Sequence, residues 1–104
     1  MAAGDKFNGA LVLSGEEVGT SSAVNVRCNF KPSVIQVNNV TSKSVYWWQP
    51  SHGEAGATKI VDSGVGTTDI STVTSNGITV SDGGFILGTG VQTTSDVVYW
   101  VAWR

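Results

Sequence analysis

Charge is scarce in this chain: Lys, Arg, Asp and Glu make up 13% of its 104 residues, and six basic against eight acidic side chains leave a net charge of -2. No basic stripe exists to meet a phosphate backbone, so nucleic acid is not an expected partner. A single cysteine, Cys28, excludes an internal disulfide. Residues 1–7 lack the long apolar core of a secretory signal, so the expected site of synthesis and folding is a reducing cytoplasm. No apolar run approaches the ~20 residues that span a bilayer as a helix, and no basic amphipathic helix is present, so no membrane partner is expected. The sequon Asn39-Val40-Thr41 is then incidental. Leucine occurs only at positions 11, 13 and 87, and no segment has convincing helical periodicity.

What is present is Val, Thr, Gly, Ser and Asn, the vocabulary of short strands and tight turns. The last eight residues, Val97 to Arg104, carry two of the four tryptophans. Because side chains alternate across a strand, Val97, Tyr99, Val101 and Trp103 point one way and Val98, Trp100 and Ala102 the other. Both faces are apolar and both must be covered, which places this segment in the middle of a sheet or of an assembly. Low charge also removes a usual protection against association.

A pass along the chain predicts an arm over residues 1–9 and a single β-sandwich or jelly-roll-like domain over 10–104. A short apolar strand at 10–13 is followed by a loop at 14–22. Val24, Val26, Cys28 and Phe30 alternate with polar residues as a half-buried strand ending at Lys31-Pro32. Extended segments follow at 34–40, at 44–49 and at 58–62. A hairpin is predicted with strands at 69–74 and 78–82 around Ser75-Asn76-Gly77, where Asn-Gly supplies the positive φ of a type I′ turn. Asp82-Gly83-Gly84 makes a further corner into residues 85–87, and a polar loop at 88–95 precedes the terminal strand. The total is roughly eight or nine short strands with turn signals every 8 to 12 residues, the spacing of a sandwich or jelly roll. No repeat or linker marks a second domain.

Candidate chemistry is sparse. His52, the only imidazole, lies in Ser51-His52-Gly53-Glu54, but triad members converge from separate segments beside an oxyanion hole. One His and one Cys do not match zinc-ligand spacing, and no calcium-loop motif occurs. The glycine runs at 64–69 and 88–93 lack a P-loop lysine and open no helix. Asp62, Asp69, Asp82 and Asp96 each neighbour Gly, Ser or Thr at a strand end, where Asp ordinarily terminates turns. No catalytic residue, metal site or cofactor is therefore expected. Tyr46, Trp47 and Trp48 read as core or subunit interface, with a sugar-stacking platform as the alternative. Trp47 and Trp48 face opposite ways, so only one of them shares a surface with Tyr46.

From Phe30 onward the pattern carries a resemblance. Its residues are Lys31-Pro32-Ser33-Val34-Ile35-Gln36-Val37-Asn38-Asn39-Val40, Tyr46-Trp47-Trp48, Gly77-Ile78-Thr79-Val80, Gly83-Gly84-Phe85-Ile86-Leu87-Gly88-Thr89 and Val98-Tyr99-Trp100-Val101-Ala102-Trp103-Arg104. These segments are spread in order over roughly two thirds of the chain, and the pattern resembles small virion structural proteins of tailed bacteriophages. The resemblance implies an all-β, commonly trimeric capsid decoration or cement protein, located in the virion, with the major capsid protein and its own copies as partners. The implied interface residues are Phe7, Leu11, Leu13, Tyr46, Trp47, Trp48, Trp100 and Trp103. The alternative is a tail-associated or fibre module that binds a host receptor or carbohydrate.

Overall fold

The computed structural model describes residues 12–62 and 68–104. Among them, eight strands form one curled antiparallel sheet: β1 Val12–Val18, β2 Val24–Arg27, β3 Val34–Asn39, β4 Ser44–Trp48, β5 Gly56–Asp62, β6 Thr68–Ser81, β7 Gly84–Leu87 and β8 Val97–Trp103. Their spatial order is β1-β8-β3-β4-β5-β6-β7-β2. The fold is all-β, and the helical exception among the described residues is a 3-10 turn at Pro50–His52. The predicted arm at 1–9, with Phe7, and also Leu11, lie outside the described residues.

Alternation decides which side of each strand is buried. On β8, Val98, Trp100 and Ala102 face inward and are buried, matched on β3 by Ile35 and Val37 and on β4 by Tyr46 and Trp48. From the far end of the sheet, Val26, Phe85 and Leu87 on β2 and β7 enter the same core. Phe85 meets Trp100 edge-to-face, with ring centroids 5.3 Å apart at 82°. Their strands are not neighbours in the sheet, so this contact spans the concave side and holds the curl. The terminal strand is not an edge: β8 lies between β1 and β3.

Three segments differ from the sequence reading. The predicted loop at 14–22 is strand through Val18, because Val12–Val18 pairs with β8 in full register from Trp103 to Val97. Gly15, Glu16 and Glu17 argued against a strand, yet polar residues suit an edge, and Gly15 leaves room for the Trp100 ring, whose nearest atom lies 2.7 Å from where a Cβ would stand. The predicted hairpin at 75–77 does not reverse the chain. β6 runs on through Asn76, which sits at φ 57°, and pairs with β5 up to Val73 and again at Ile78 opposite Gly56, and with β7 from Ile78. The intervening residues bulge: the Gly77 N–H donates to the Ala55 carbonyl at 3.0 Å, while the Asn76 and Gly77 carbonyls accept from Gly90 and Gly88 at 2.8 Å each. Lastly, β2 ends at Arg27 rather than reaching Phe30, because the Cys28 and Asn29 N–H groups converge on the Gly83 carbonyl at 3.0 Å each.

Ala55, opposite the bulge, is held at φ 57°, where an L side chain costs about 1 kcal/mol. Its N–H donates to Thr79 Oγ1 at 3.1 Å and its carbonyl accepts from Gly77, so its backbone is fixed from both sides. Ala55→Gly keeps both bonds and is expected to raise stability by about 0.5–1 kcal/mol, read as a higher urea midpoint at unchanged slope.

Candidate functional site

The register places a second set of side chains on the convex side of the sheet. One row crosses Ile70 of β6, Ile60 of β5, Val45 of β4, Asn38 of β3, Tyr99 of β8 and Glu16 of β1. The next crosses Thr72, Thr58, Trp47, Gln36, Val101 and Ser14, and a shorter one joins Val34, Trp103 and Val12. Within these rows Glu16 is the one charged side chain. Four of the apolar members are open to solvent, Ile70 at 72%, Val12 at 49%, Tyr99 at 45% and Trp47 at 36%, whereas Val34, Val45, Ile60, Val101 and Trp103 are half-buried. The indoles of Trp47 and Trp103 meet above β3 although their strands are not adjacent, with centroids 6.0 Å apart at 40°. Beside them the Gln36 Nε2 donates to Asn38 Oδ1 at 3.1 Å.

The residues singled out from the sequence therefore separate. Tyr46, Trp48 and Trp100 lie inside the chain's own core. Trp48 Nε1 donates to the Gly53 carbonyl at 2.9 Å, Trp100 Nε1 reaches Glu17 Oε2 at 3.3 Å, and Lys59 Nζ lies 5.8 Å from the Tyr46 ring centroid. Trp47 and Trp103 stand together on the convex face, and Leu13 is 38% exposed on the edge strand β1. The carboxamide pair Gln36 and Asn38 and the phenol of Tyr99 were not singled out. The signal was their equal parity with Val34, Val101 and Trp103, which puts them on one face without saying that the face is outward.

The polar groups that invite a chemical reading have structural partners. His52 Nε2 lies 2.8 Å from Thr58 Oγ1 and its Nδ1 contacts the Gln49 backbone, while Ser51 Oγ accepts from Gln49 Nε2 at 2.9 Å. Buried Asp96 accepts through Oδ2 from Asn39 Nδ2, from the Thr93 N–H at 2.9 Å each, and from the Thr93 hydroxyl at 3.1 Å. Asn39 Nδ2 also donates to the Val91 carbonyl, and its Oδ1 accepts from the Thr41 and Ser42 N–H groups. Asn39 first, then Thr93, holds the Asp96 carboxyl below its usual range, against the opposing effect of burial. Gln92, fully buried, accepts from the Thr20 N–H and donates to the Ser22 and Leu87 carbonyls, tying the β1–β2 loop to the loop before β8. No cluster of three or more metal-ligating side chains occurs among the described residues.

No family model, curated protein or solved structure matches this chain.

Open concavities also mark the surface of the described residues. One of about 440 Å³ is lined by both prolines, Pro32 and Pro50, with Trp48 and Val80 between Lys31 and Glu54. The other, about 460 Å³, lies along β2 and β7 beside Arg27 and Asn29.

Proposed function

We propose that this chain is a non-enzymatic structural protein of a tailed-bacteriophage virion, a decoration or cement protein that binds the assembled shell as a homotrimer and stabilises it. In this reading the curled sheet is a β-sandwich or jelly roll, its concave side filled by the protomer and its convex side left for other subunits. The observation that carries it is the convex face: two rows of side chains across six strands and a third across three, with nine aromatic or aliphatic members among fifteen and Glu16 as their one charge. Contiguous apolar surface of that extent marks a contact surface. The order of aromatic, glycine-phenylalanine and terminal aromatic segments that resembles small virion proteins supplies the particular assembly.

A ligand that binds only the assembled shell stabilises it by mass action, and a trimer multiplies weak contacts into a long-lived one. Adding the purified chain to shells that lack it should raise the shell's disruption temperature in proportion to occupancy. Removing residues 2–9 should leave the fold and weaken that binding. Shells that neither retain the protein on sedimentation nor gain heat resistance would refute the reading.

A second reading has its own support. Trp47 and Tyr99 flank the Gln36 and Asn38 carboxamides, and ring faces beside amide donors and acceptors suit a neutral sugar. That favours a tail module with a host carbohydrate as ligand. Glycan-array binding abolished by Trp47→Ala would select it.

A further inference from the structure

We infer that the convex face is the seam between copies of this chain, registered by the Gln36–Asn38 carboxamide pair. The inference deepens the structural-protein reading and rests on it for the expectation that the chain self-associates.

β8 is apolar on both sides; the protomer covers one fully and the other in part, leaving Val97, Val101 and Trp103 half-buried. Val98 and Ala102 have no exposed surface and Trp100 retains 4%, whereas Tyr99 on the opposite side retains 45%. A partner for that side must itself be almost uncharged, since the rows offer it no counter-charge beyond Glu16 at the rim. The convex face of a second copy meets that requirement.

Desolvating two carboxamides would be costly if they stayed unpaired. Within the protomer, Gln36 Nε2 bonds Asn38 Oδ1. Among the described residues, Gln36 Oε1 and the Asn38 Nδ2 group have no side-chain hydrogen-bond partner. One is an acceptor and the other a donor, so Asn38 Nδ2 of each copy can donate to Gln36 Oε1 of the next, and the pattern closes for two copies or three. Trp47, Tyr99, Val101 and Trp103 surround the pair and keep water from it.

Sedimentation equilibrium on the full chain tests this. Wild type is expected as a closed oligomer of the 10.8 kDa protomer. Tyr99→Lys, at a position already open to solvent, is expected to give the protomer mass with an unchanged far-ultraviolet spectrum. Asn38→Asp, nearly isosteric, keeps the acceptor for Gln36 Nε2 and is expected to weaken association about 30-fold or more by removing the Nδ2 donor and setting a carboxylate against Gln36 Oε1 of the next copy. A monomeric wild type overturns the inference, as does an oligomer that survives Tyr99→Lys or a monomer that binds neutral glycans through Trp47. Shell binding is scored separately: a wild type that oligomerises through this face but ignores shells leaves the seam standing and removes the decoration function.

Discussion

Phe85→Ala is expected to destabilise the protein by about 3–5 kcal/mol, a large share of the 5–15 kcal/mol typical of a domain. Phe85 is 1% exposed, and its edge-to-face contact with Trp100 joins β7 to a strand that is not its neighbour. Truncation therefore loses the transferred ring, opens a cavity and removes the contact spanning the concave side. Leu in its place retains most of the apolar volume and should cost only about 1.5 kcal/mol. Urea unfolding of both variants checks the pair: the midpoint should fall steeply for Ala and modestly for Leu, with the slope preserved. A loss below about 1 kcal/mol for Phe85→Ala would mean that the curl is held elsewhere.

Asn39→Ala should be nearly as damaging, at about 2–4 kcal/mol, although it removes no apolar core. Asn39 is 2% exposed and serves four partners at once: the Asp96 carboxylate, the Val91 carbonyl, and the Thr41 and Ser42 N–H groups. Deleting it strands buried donors and acceptors at the end where β3, β8 and the loop before β8 converge. The same network fixes a pH dependence. Because the Asp96 carboxyl is held below its usual range, the folded state binds its proton less readily than the unfolded chain. Its contribution is therefore present at neutral pH and is lost as pH falls below about 4. In Asn39→Ala the leading cause of the lowering is gone, so the stability difference between wild type and variant should narrow from neutral pH to about pH 3. An unchanged difference would detach Asp96 from the effect.

The sequence pattern made the strand inventory legible where alternation was strong. Val34 to Asn39, Ser44 to Trp48 and the terminal segment could be placed closely, because β-branched and aromatic residues at period two have few other ways to bury themselves. Local signals failed where a tertiary partner outweighed them. Asn76-Gly77 supplied the positive φ of a tight turn, but Ala55, Gly88 and Gly90 hold that stretch as a bulge in a continuing strand. The acidic, glycine-bearing stretch after Leu13 gave no strand signal, since its partner β8 lies at the far end of the sequence.

For the site, alternation sent Trp47 and Trp48 to opposite faces without saying which was inward. Burial resolves this: Trp48 is 6% exposed and Trp47 36%. The Gln36–Asn38 pair carried no aromatic or charged marker, and its importance depends on Trp47, Tyr99 and Trp103 arriving beside it from two other strands.

The most direct test of the account is a count of copies of this chain per purified virion by quantitative mass spectrometry. A shell offers orders of magnitude more sites than a tail, so a decoration protein should be present in hundreds of copies, in multiples set by the lattice. A handful of copies, or none, would contradict it.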